Sequence, residues 1–379
     1  MATYYVRTTG TDGAAVSGDT DNPWATPNYA ATRISSGDTV KIGDGTYTLV
    51  AGSLPGPPSE SWQAKIIVPQ TNTVWEGESG DKTKVIVQRS GDMVFELYET
   101  SGTDKTTIKN LTLKQTSAGG TTYVIYGAQG SGTTMANVEI SDCDFHAMEY
   151  AIYYMGPLSK IERCTFTRTA GGSAGQIYAL RFTQGGVDID SCLFYGWYDI
   201  AINGTVGTGV TIRNCTIVGH PSSQDDDEGI KVGTGATIYN TIVYSDPSAE
   251  LDYGIQFSSA DASNTIKNCI AFGTYQNAEY AGTGAPTVSA QLEGQTEVTA
   301  SGQPVFVDQA SGDYRPHEDG IAYQRGDATS YPATDLNGVA FNDPPSIGCL
   351  ENPPAGGGGT TNSVLKSMGG GLLNSPFTL

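Results

Sequence analysis

Three charged residues in similar short segments are the first candidates for chemistry. Arg181, Asp199 and Lys231 belong to segments that read Tyr-Ala-Leu-Arg-Phe, Tyr-Asp-Ile-Ala-Ile and Glu-Gly-Ile-Lys-Val. Cleavage of an acidic sugar polymer by elimination needs a cation, such as calcium, to neutralise a carboxylate, and an arginine or lysine to take a proton. The three residues are therefore candidate catalytic residues. The alternative is a solvated surface on which charges of both signs only maintain solubility.

A run of four acidic residues is the second candidate site. Asp225, Asp226, Asp227 and Glu228 follow one another directly before Gly229. Carboxylate oxygens are the ligands that calcium prefers, so the run is a candidate calcium site. Two carboxylates can also act as the acid and the nucleophile or base that cleave a glycosidic bond, and Asp225 and Asp227 are the candidate pair. The alternative is a solvated turn.

Aromatic and amide side chains supply candidate contacts for carbohydrate. Tyr126, Tyr153 and Trp197 carry flat rings on which sugars can stack, and Gln256 offers an amide in a segment of the same kind. Outward aromatic residues also stabilise sheets by cross-strand contact, so a structural role is the alternative.

A repeat along the middle of the chain must position these residues. Its first half reads Ile-x-Asn-Cys-x-Phe and starts 21 to 32 residues apart at Ile108, Ile140, Ile161, Ile189, Ile212, Ile238 and Ile266. Its second half reads Tyr-x-Ile-x-Phe and starts at Tyr123, Tyr150, Tyr178, Tyr198, Glu228 and Tyr253. Alternation of period two predicts short strands, and repeats with variable turns predict stacked coils. We therefore predict an all-β chain, a single right-handed parallel β-helix.

Stacking predicts which residues become neighbours. Successive coils lie about 4.8 Å apart, so Arg181, Asp199 and Lys231 are expected side by side on three successive coils, within about 10 Å. The same alternation places further candidates on this outward face: Tyr126, Tyr153 and Gln256.

A ladder of five cysteines accompanies the repeat. Each follows a bend residue, often Asn or Asp, a type that tolerates left-handed backbone, and the ladder consists of Cys143, Cys164, Cys192, Cys215 and Cys269. Inward-facing, stacked cysteines behave as small apolar residues, so we expect buried free thiols. Disulfides between adjacent coils are the alternative, and Cys349, outside the ladder, is also expected to be free.

Composition narrows the function classes. The chain has 379 residues, 49 of them glycine, and a formal charge of −20, which argues against a nucleic-acid partner. No apolar run is long enough to span a bilayer. The first residues, Met1–Val6, lack the charged and apolar regions of a secretory signal, which predicts a route other than signal-peptide export.

With this repeat the chain resembles the pectate-lyase-like superfamily of right-handed β-helix proteins. The segment from Tyr4 to Tyr47 is similar to the opening of many such proteins, and the segment from Pro304 to Glu351 to a closing segment of bacterial and phage β-helix proteins. Thr26 and Pro27 predict a short capping helix to about Arg33. The resemblance implies a groove along the second-half strands. The Asp-Asp before a Gly-Ile strand is similar to the polygalacturonase acid pair, but that family's Gly-His-Gly and Arg-x-Lys motifs are missing.

The predicted domains are an N-terminal cap with the first coil (1–60), the β-helix (61–300), the closing segment (301–351) and an extended tail (352–379). A run of glycines, 356–359, predicts a flexible linker within the tail. The apolar peptide after it reads as a docking segment that contacts a partner, through Leu365, Met368, Leu372, Leu373, Phe377 and Leu379.

Two functions fit this layout. The first is a structural virion protein of a tailed phage, a spike, fibre or capsid decoration that binds glycans and is anchored to other virion proteins by its tail. The missing export signal, the reduced thiols expected of cytoplasmic synthesis and the tail favour it. The alternative is a secreted polysaccharide lyase or glycoside hydrolase that acts in the groove, with calcium as its one candidate cofactor. A bacterial surface adhesin fits less well.

Overall fold

A computed structural model gives the architecture. It describes residues 1–13, 15–50, 65–68, 72–91, 93–97, 104–117, 122–127, 137–169, 177–182, 184–197, 199–205, 208–219, 228–245, 251–258, 261, 263–273, 275–282, 287–288, 292–293, 298 and 301–351.

The described strands form three long parallel sheets, and each coil of the chain contributes one strand to each sheet in turn. The first sheet consists of Thr3–Val6, Thr39–Ile42, Val74–Gly77, Thr106–Lys109, Val138–Ser141, Ser159–Glu162, Val187–Asp190, Thr211–Arg213, Thr237–Tyr239, Thr265–Lys267 and Thr287–Val288. The second consists of Gly45–Leu49, Val85–Ser90, Thr112–Ser117, Asp144–Ala147, Thr165–Arg168, Leu193–Trp197, Thr216–Gly219, Ile242–Ser245, Cys269–Gly273 and Leu292–Glu293. The third consists of Ile66–Val68, Met93–Leu97, Tyr123–Gly127, Tyr150–Met155, Tyr178–Phe182, Ile200–Gly204, Glu228–Val232, Leu251–Phe257 and Tyr275–Gly282. The predicted fold, a right-handed parallel β-helix, is confirmed.

A left-handed bend residue separates the first sheet from the second in seven consecutive coils. Asn110, Asp142, Asn214, Asn240 and Asn268 have φ between 48° and 58°, as their residue types predicted. Two coils place other residues there, Arg163 and Ser191, with φ of 50° and 51°. The bend turns the strand direction without an inserted loop, which keeps the repeat short.

The interior is a continuous apolar stack along the helix axis. Phe145, Phe166 and Phe194 stack with ring centroids 4.7 Å apart. All six cysteines are buried and free, so the predicted thiol ladder is confirmed and the disulfide alternative is wrong. Burial raises the pKa of Cys269 to about 12, which keeps this thiol protonated.

A short helix, Pro27–Ala31, packs on the first coils. Thr26 is its N-cap and Pro27 its first residue, as predicted, and the Thr26 hydroxyl accepts a hydrogen bond from Tyr29 N at 3.4 Å. The helix ends two residues before the predicted Arg33. All five of its residues are buried. Among the described residues, no helix is both long and apolar enough to cross a membrane.

The closing segment lies along the outside of the second sheet. A small antiparallel pair, Phe306–Asp308 and Asp313–Pro316, flanks a 3₁₀ turn, Gln309–Ser311. Its apolar side chains pack on the outward residues of four coils and the buried contacts include Leu193, Val218, Ile242, Tyr244, Ile270 and Phe272. The bend residues hold its backbone: Asn214 Nδ2 donates to Ser346 O at 3.0 Å, and Asn240 Oδ1 accepts from Asp327 N at 2.6 Å.

Candidate functional site

Two columns of outward side chains cover the third sheet. In each central strand the first and fourth residues point outward: Tyr123 and Tyr126 are half-buried, with ring centroids 4.9 Å apart, whereas Val124 and Ile125 are fully buried in the interior. The strand pairing then sets the first column as Met93, Tyr123, Tyr150, Tyr178, Ile200, Glu228 and Tyr253. The second column is Glu96, Tyr126, Tyr153, Arg181, Asn203, Lys231 and Gln256.

Six tyrosines pack together on the lower coils of this face; two of them, Tyr153 and Tyr178, are buried, and the other four are half-buried. This tyrosine cluster consists of Tyr123, Tyr126, Tyr150, Tyr153, Tyr154 and Tyr178. The rings of Tyr126 and Tyr153 are 6.2 Å apart and within 7° of parallel. Burial raises the pKa of Tyr150 to about 12, so its hydroxyl stays neutral and can donate and accept hydrogen bonds.

Arg181 closes the tyrosine cluster at its upper edge. Its guanidinium carbon lies 5.0 Å from the Tyr153 ring centroid and 5.3 Å from that of Tyr178, which is cation–π geometry. Its Nη1 donates to the Tyr153 hydroxyl at 2.6 Å. Among the described residues no carboxylate forms an ion pair with Arg181, so this half-buried cation keeps donors for a further acceptor.

The upper coils of the face are polar. Lys231 Nζ lies 2.6 Å from Glu228 Oε1, and the Glu228 side chain is completely buried. Gln256 is half-buried in the next coil. Asn203 stands between Arg181 and Lys231 in the second column, and its Oδ1 accepts from Thr205 N at 3.2 Å. The face therefore changes from aromatic to polar along the helix axis.

The predicted side-by-side trio is wrong in its middle member. Asp199 precedes its strand, Ile200–Gly204, and lies outside both columns. Its Oδ2 accepts a hydrogen bond from Ile177 N, while Oδ1 is buried and has no hydrogen-bond partner among the described residues. Burial raises the pKa of Asp199 to about 6. Glu149 occupies the same position in an earlier coil and accepts from Thr122 N at 2.7 Å, so both carboxylates cap the start of the preceding strand.

A two-residue error in register explains this correction. The predicted repeat starts at Tyr198-Asp199-Ile200, but the paired strand begins at Ile200. Alternating apolar residues at 200 and 202 satisfy period two in either register, so periodicity could not choose between them. The small residue in the second position of each strand was a better guide to the register. Ala151, Ala179 and Ala201 occupy this position in three successive coils.

Trp197 is not a sugar platform. Its side chain is buried in the interior, 1 % exposed, and its Nε1 donates to Phe166 O at 3.0 Å. The register shifts between Tyr195 and Trp197, and Gly196 between them has φ of 80°. This bulge turns Trp197 inward, away from the face that strict alternation predicts. Of the other predicted sugar contacts, Tyr126 and Gln256 are half-buried and Tyr153 is 8 % exposed.

Sequence reasoning missed four tyrosines and one asparagine of the face. Tyr123, Tyr150 and Tyr178 open the repeated segments, where simple alternation predicts inward residues. Glu228 occupies the same repeat position in a later segment. Because carboxylates are rarely placed in an apolar interior, this residue could have indicated that the position faces outward. Tyr154 follows Tyr153 in a left-handed conformation with φ of 69°, which no repeat predicts. Asn203 was missed because of the error in register.

Several predicted residues lie outside the described residues. These are Asp225, Asp226 and Asp227 of the acidic run and the tail residues Leu365, Met368, Leu372, Leu373, Phe377 and Leu379. Glu228, the last residue of the run, is described and pairs with Lys231. The calcium site, the acid pair and anchoring of the tail in a phage particle stay predictions. Within the described ranges, no three His, Cys, Asp or Glu side chains form a group that could hold a metal ion.

Comparisons with known proteins place the fold. Residues 83–246 match the family described as the right handed beta helix region. The structure is similar to that of pectate lyase Pel9A, with a TM-score of 0.50 and 13 % identity over 93 % of this chain and 96 % of that one. A mannuronic acid specific polysaccharide family 6 lyase from human gut microbiota matches with a TM-score of 0.43 and 11 % identity, over 73 % of this chain and 67 % of that one. Pectin methylesterase PemA from Erwinia chrysanthemi matches with a TM-score of 0.34 and 10 % identity, over 83 % and 98 %. No curated protein matches the sequence.

Proposed function

We propose that this right-handed parallel β-helix binds an extended acidic polysaccharide along the outer face of its third sheet. The observation that carries the proposal is the pair of columns, which present tyrosines, Arg181, Asn203, Lys231 and Gln256 on successive coils. Because coils repeat about every 4.8 Å, a linear polymer laid along the axis contacts several of them at once. Many weak contacts of this kind add up to useful affinity.

The tyrosine cluster suits the sugar rings. The C–H faces of a pyranose are apolar, while its hydroxyls need hydrogen-bond partners. Tyrosine offers both, a flat apolar ring and a polar tip. Tyr126 and Tyr154 are half-buried, with ring centroids 5.7 Å apart in an edge-on contact. In such a pair, a sugar can stack on the face of one ring while the other ring contacts its edge.

Arg181 favours an acidic polymer. A guanidinium with free N–H groups binds a carboxylate through two parallel hydrogen bonds. The chain carries a formal charge of −20, so a polyanion is attracted only where a local cation offsets the general repulsion. Pectate, after which the lyase with the similar fold is named, is a polymer of this class.

Binding is better supported than cleavage. Lys231 Nζ lies 2.6 Å from Glu228 Oε1, and Arg181 Nη1 donates to the Tyr153 hydroxyl. Both predicted bases therefore already have partners on this face. A lyase or hydrolase activity stays the alternative, and it rests on Asp225 and Asp227, which lie outside the described residues.

Calorimetric titration with polygalacturonate, and with a neutral glucan as control, tests the proposal. We expect binding of the acidic polymer to wild type, and a loss of about tenfold or more in affinity for Arg181→Gln, because a charge-assisted pair contributes roughly 1.5–3 kcal/mol. Arg33→Gln is the matched control, since Arg33 also stacks on a tyrosine, with its guanidinium 4.9 Å from the Tyr29 ring centroid. Equal affinity of Arg181→Gln and wild type, or no binding of acidic polymer at all, would overturn the proposal.

A further inference from the structure

A second polar site lies on another side of the molecule, between the first sheet and the closing segment. It is a cavity of about 180 Å³. Three successive coils supply its floor, and residues 331–334 of the closing segment supply its roof. The Ser191 hydroxyl donates to Thr334 O at 2.8 Å and ties roof to floor. This cavity is built from different elements than the third-sheet face.

The lining carries an excess of positive charge. Lys160, Arg163 and Arg213 are its cations, and Glu162 and Asp190 are its carboxylates. The lining side chains thus have a formal charge of +1 in a chain of −20. Asp142 and Asp188, outside the lining, pair with Arg163 at 2.8 Å and approach Arg213 at 3.8 Å.

Both lining carboxylates are already occupied by cations. Asp190 accepts Arg213 Nε at 2.7 Å and Nη2 at 2.9 Å, one on each oxygen. Glu162 contacts Lys160 through Oε2 and Arg163 through Oε1. Hydrogen bonding to Asp142 raises the pKa of Arg163, and bonding to Asp190 raises that of Arg213. Both guanidinium groups are therefore charged at any working pH.

The cations, by contrast, keep donors to spare. Arg163 binds its carboxylates through Nε and Nη2, and so does Arg213. Within the described part of the chain, neither Nη1 group has a partner. Lys160 uses one of its three donors, on Glu162, and its side chain is 41 % exposed. A cavity with spare donors and occupied acceptors selects a ligand rich in acceptors.

We propose that this cavity binds a small oxyanion, phosphate or sulfate, as the free ion or as an ester group on a larger molecule. The volume accommodates one tetrahedral anion with water around it. Two arginine Nη1 groups and one lysine ammonium would supply charge-assisted hydrogen bonds. A divalent cation is disfavoured, because each carboxylate would have to exchange an arginine or lysine for the metal. Because the roof belongs to the closing segment, the bound anion also fastens that segment to the coils.

Calorimetric titration of the full chain with sodium phosphate and with sodium sulfate, against sodium chloride at equal ionic strength, tests the site. Wild type is expected to bind one of the two oxyanions, and Lys160→Gln and Arg163→Gln to weaken that binding at least fivefold each. Lys109→Gln is the matched control: Lys109 lies on the first sheet and pairs with Glu76 at 2.8 Å, away from the cavity, so its variant should bind as wild type does. Arg213 is not substituted, since Asp190 would be left buried and unpaired.

Two further readouts keep the test decisive. The first readout compares glucose 6-phosphate and glucose 6-sulfate with the free ions, with glucose as control. Tighter binding of an ester supports recognition of a substituted sugar. Tighter binding of the ion supports a free oxyanion as the ligand. Amide exchange of Tyr331, Ala333 and Thr334 should slow when the anion is present. Absence of binding for every anion at millimolar concentration, or identical affinity of Lys160→Gln, Arg163→Gln and wild type, would overturn the proposal.

Discussion

The outer faces of the second and third sheets show how one fold produces two different surfaces. On the upper coils, outward residues of the second sheet are apolar, and Ile242 and Ile270 are fully buried by the closing segment. Outward residues of the third sheet are aromatic or charged, and Tyr126, Arg181 and Lys231 keep part of their surface exposed. Both faces are built from parallel strands that stack one coil on the next. The outward residue types decide whether a face receives the chain's own segment or stays available to a ligand.

The largest difference between the faces should appear when one aromatic side chain is removed from each. Phe306→Ala removes a ring that packs 5.7 Å from Phe272 and 5.3 Å from Tyr314, and should lower the free energy of unfolding by about 3–5 kcal/mol. Tyr126→Ala, on the half-exposed face, should cost about 1 kcal/mol. Urea unfolding measures both. Equal losses would show that the two faces are packed alike.

A second comparison uses two bend residues with the same backbone conformation. Asn240 has φ of 51° and bonds the closing segment at Asp327, whereas Asn110, with φ of 58°, has no hydrogen bond to the described closing segment. Alanine costs about 1–2 kcal/mol of left-handed strain at either site. Asn240→Ala should lose about 1–2 kcal/mol more, because Asp327 N is left without its acceptor.

Urea midpoints of Asn240→Ala and Asn110→Ala measure this difference. Asn240→Gly is the control, since glycine removes the strain and leaves only the lost hydrogen bonds. If Asn110→Ala were the more damaging variant, the closing segment would not depend on the bend residues.

A third prediction concerns the ion pair of the third-sheet face. Lys231→Met removes the ammonium 2.6 Å from the completely buried carboxylate of Glu228 and should lower the free energy of unfolding by about 2 kcal/mol at neutral pH. Adding Glu228→Gln should recover most of the loss, because the uncompensated charge is then gone. A double-mutant cycle by urea unfolding measures the coupling; additive losses would contradict a buried pair.

A fourth prediction is a pH dependence set by Asp199. Burial raises its folded-state pKa from 3.8 to about 6, so between these values the folded chain keeps a proton that the unfolded chain has lost. The contribution of Asp199 to stability therefore falls as pH rises from about 4 to 6 and is constant above that. Asp199→Asn should raise the urea midpoint at pH 7.5 and leave it unchanged near pH 4. A variant with the wild-type pH profile would contradict the raised pKa.

The sequence predicted the fold well because stacking repeats one pattern. The left-handed asparagines and the inward cysteines recur at a fixed place, and each repeat confirms the others. Asp199 and Trp197 were misplaced because a one-residue bulge or a two-residue shift leaves the apolar alternation almost unchanged. The partners of Arg181 and Lys231 could not be predicted either. They depend on which side chains neighbouring coils bring within reach, and only the register decides that.

Hydroxyl-radical footprinting with and without polygalacturonate tests the central claim, that the third-sheet face is the ligand surface, most directly. With ligand bound, oxidation is expected to fall at Tyr126 and Tyr154 and to stay unchanged at Tyr239, a half-buried tyrosine of the first sheet. Protection at Tyr239 with none at Tyr126 and Tyr154 under saturating ligand would contradict the account.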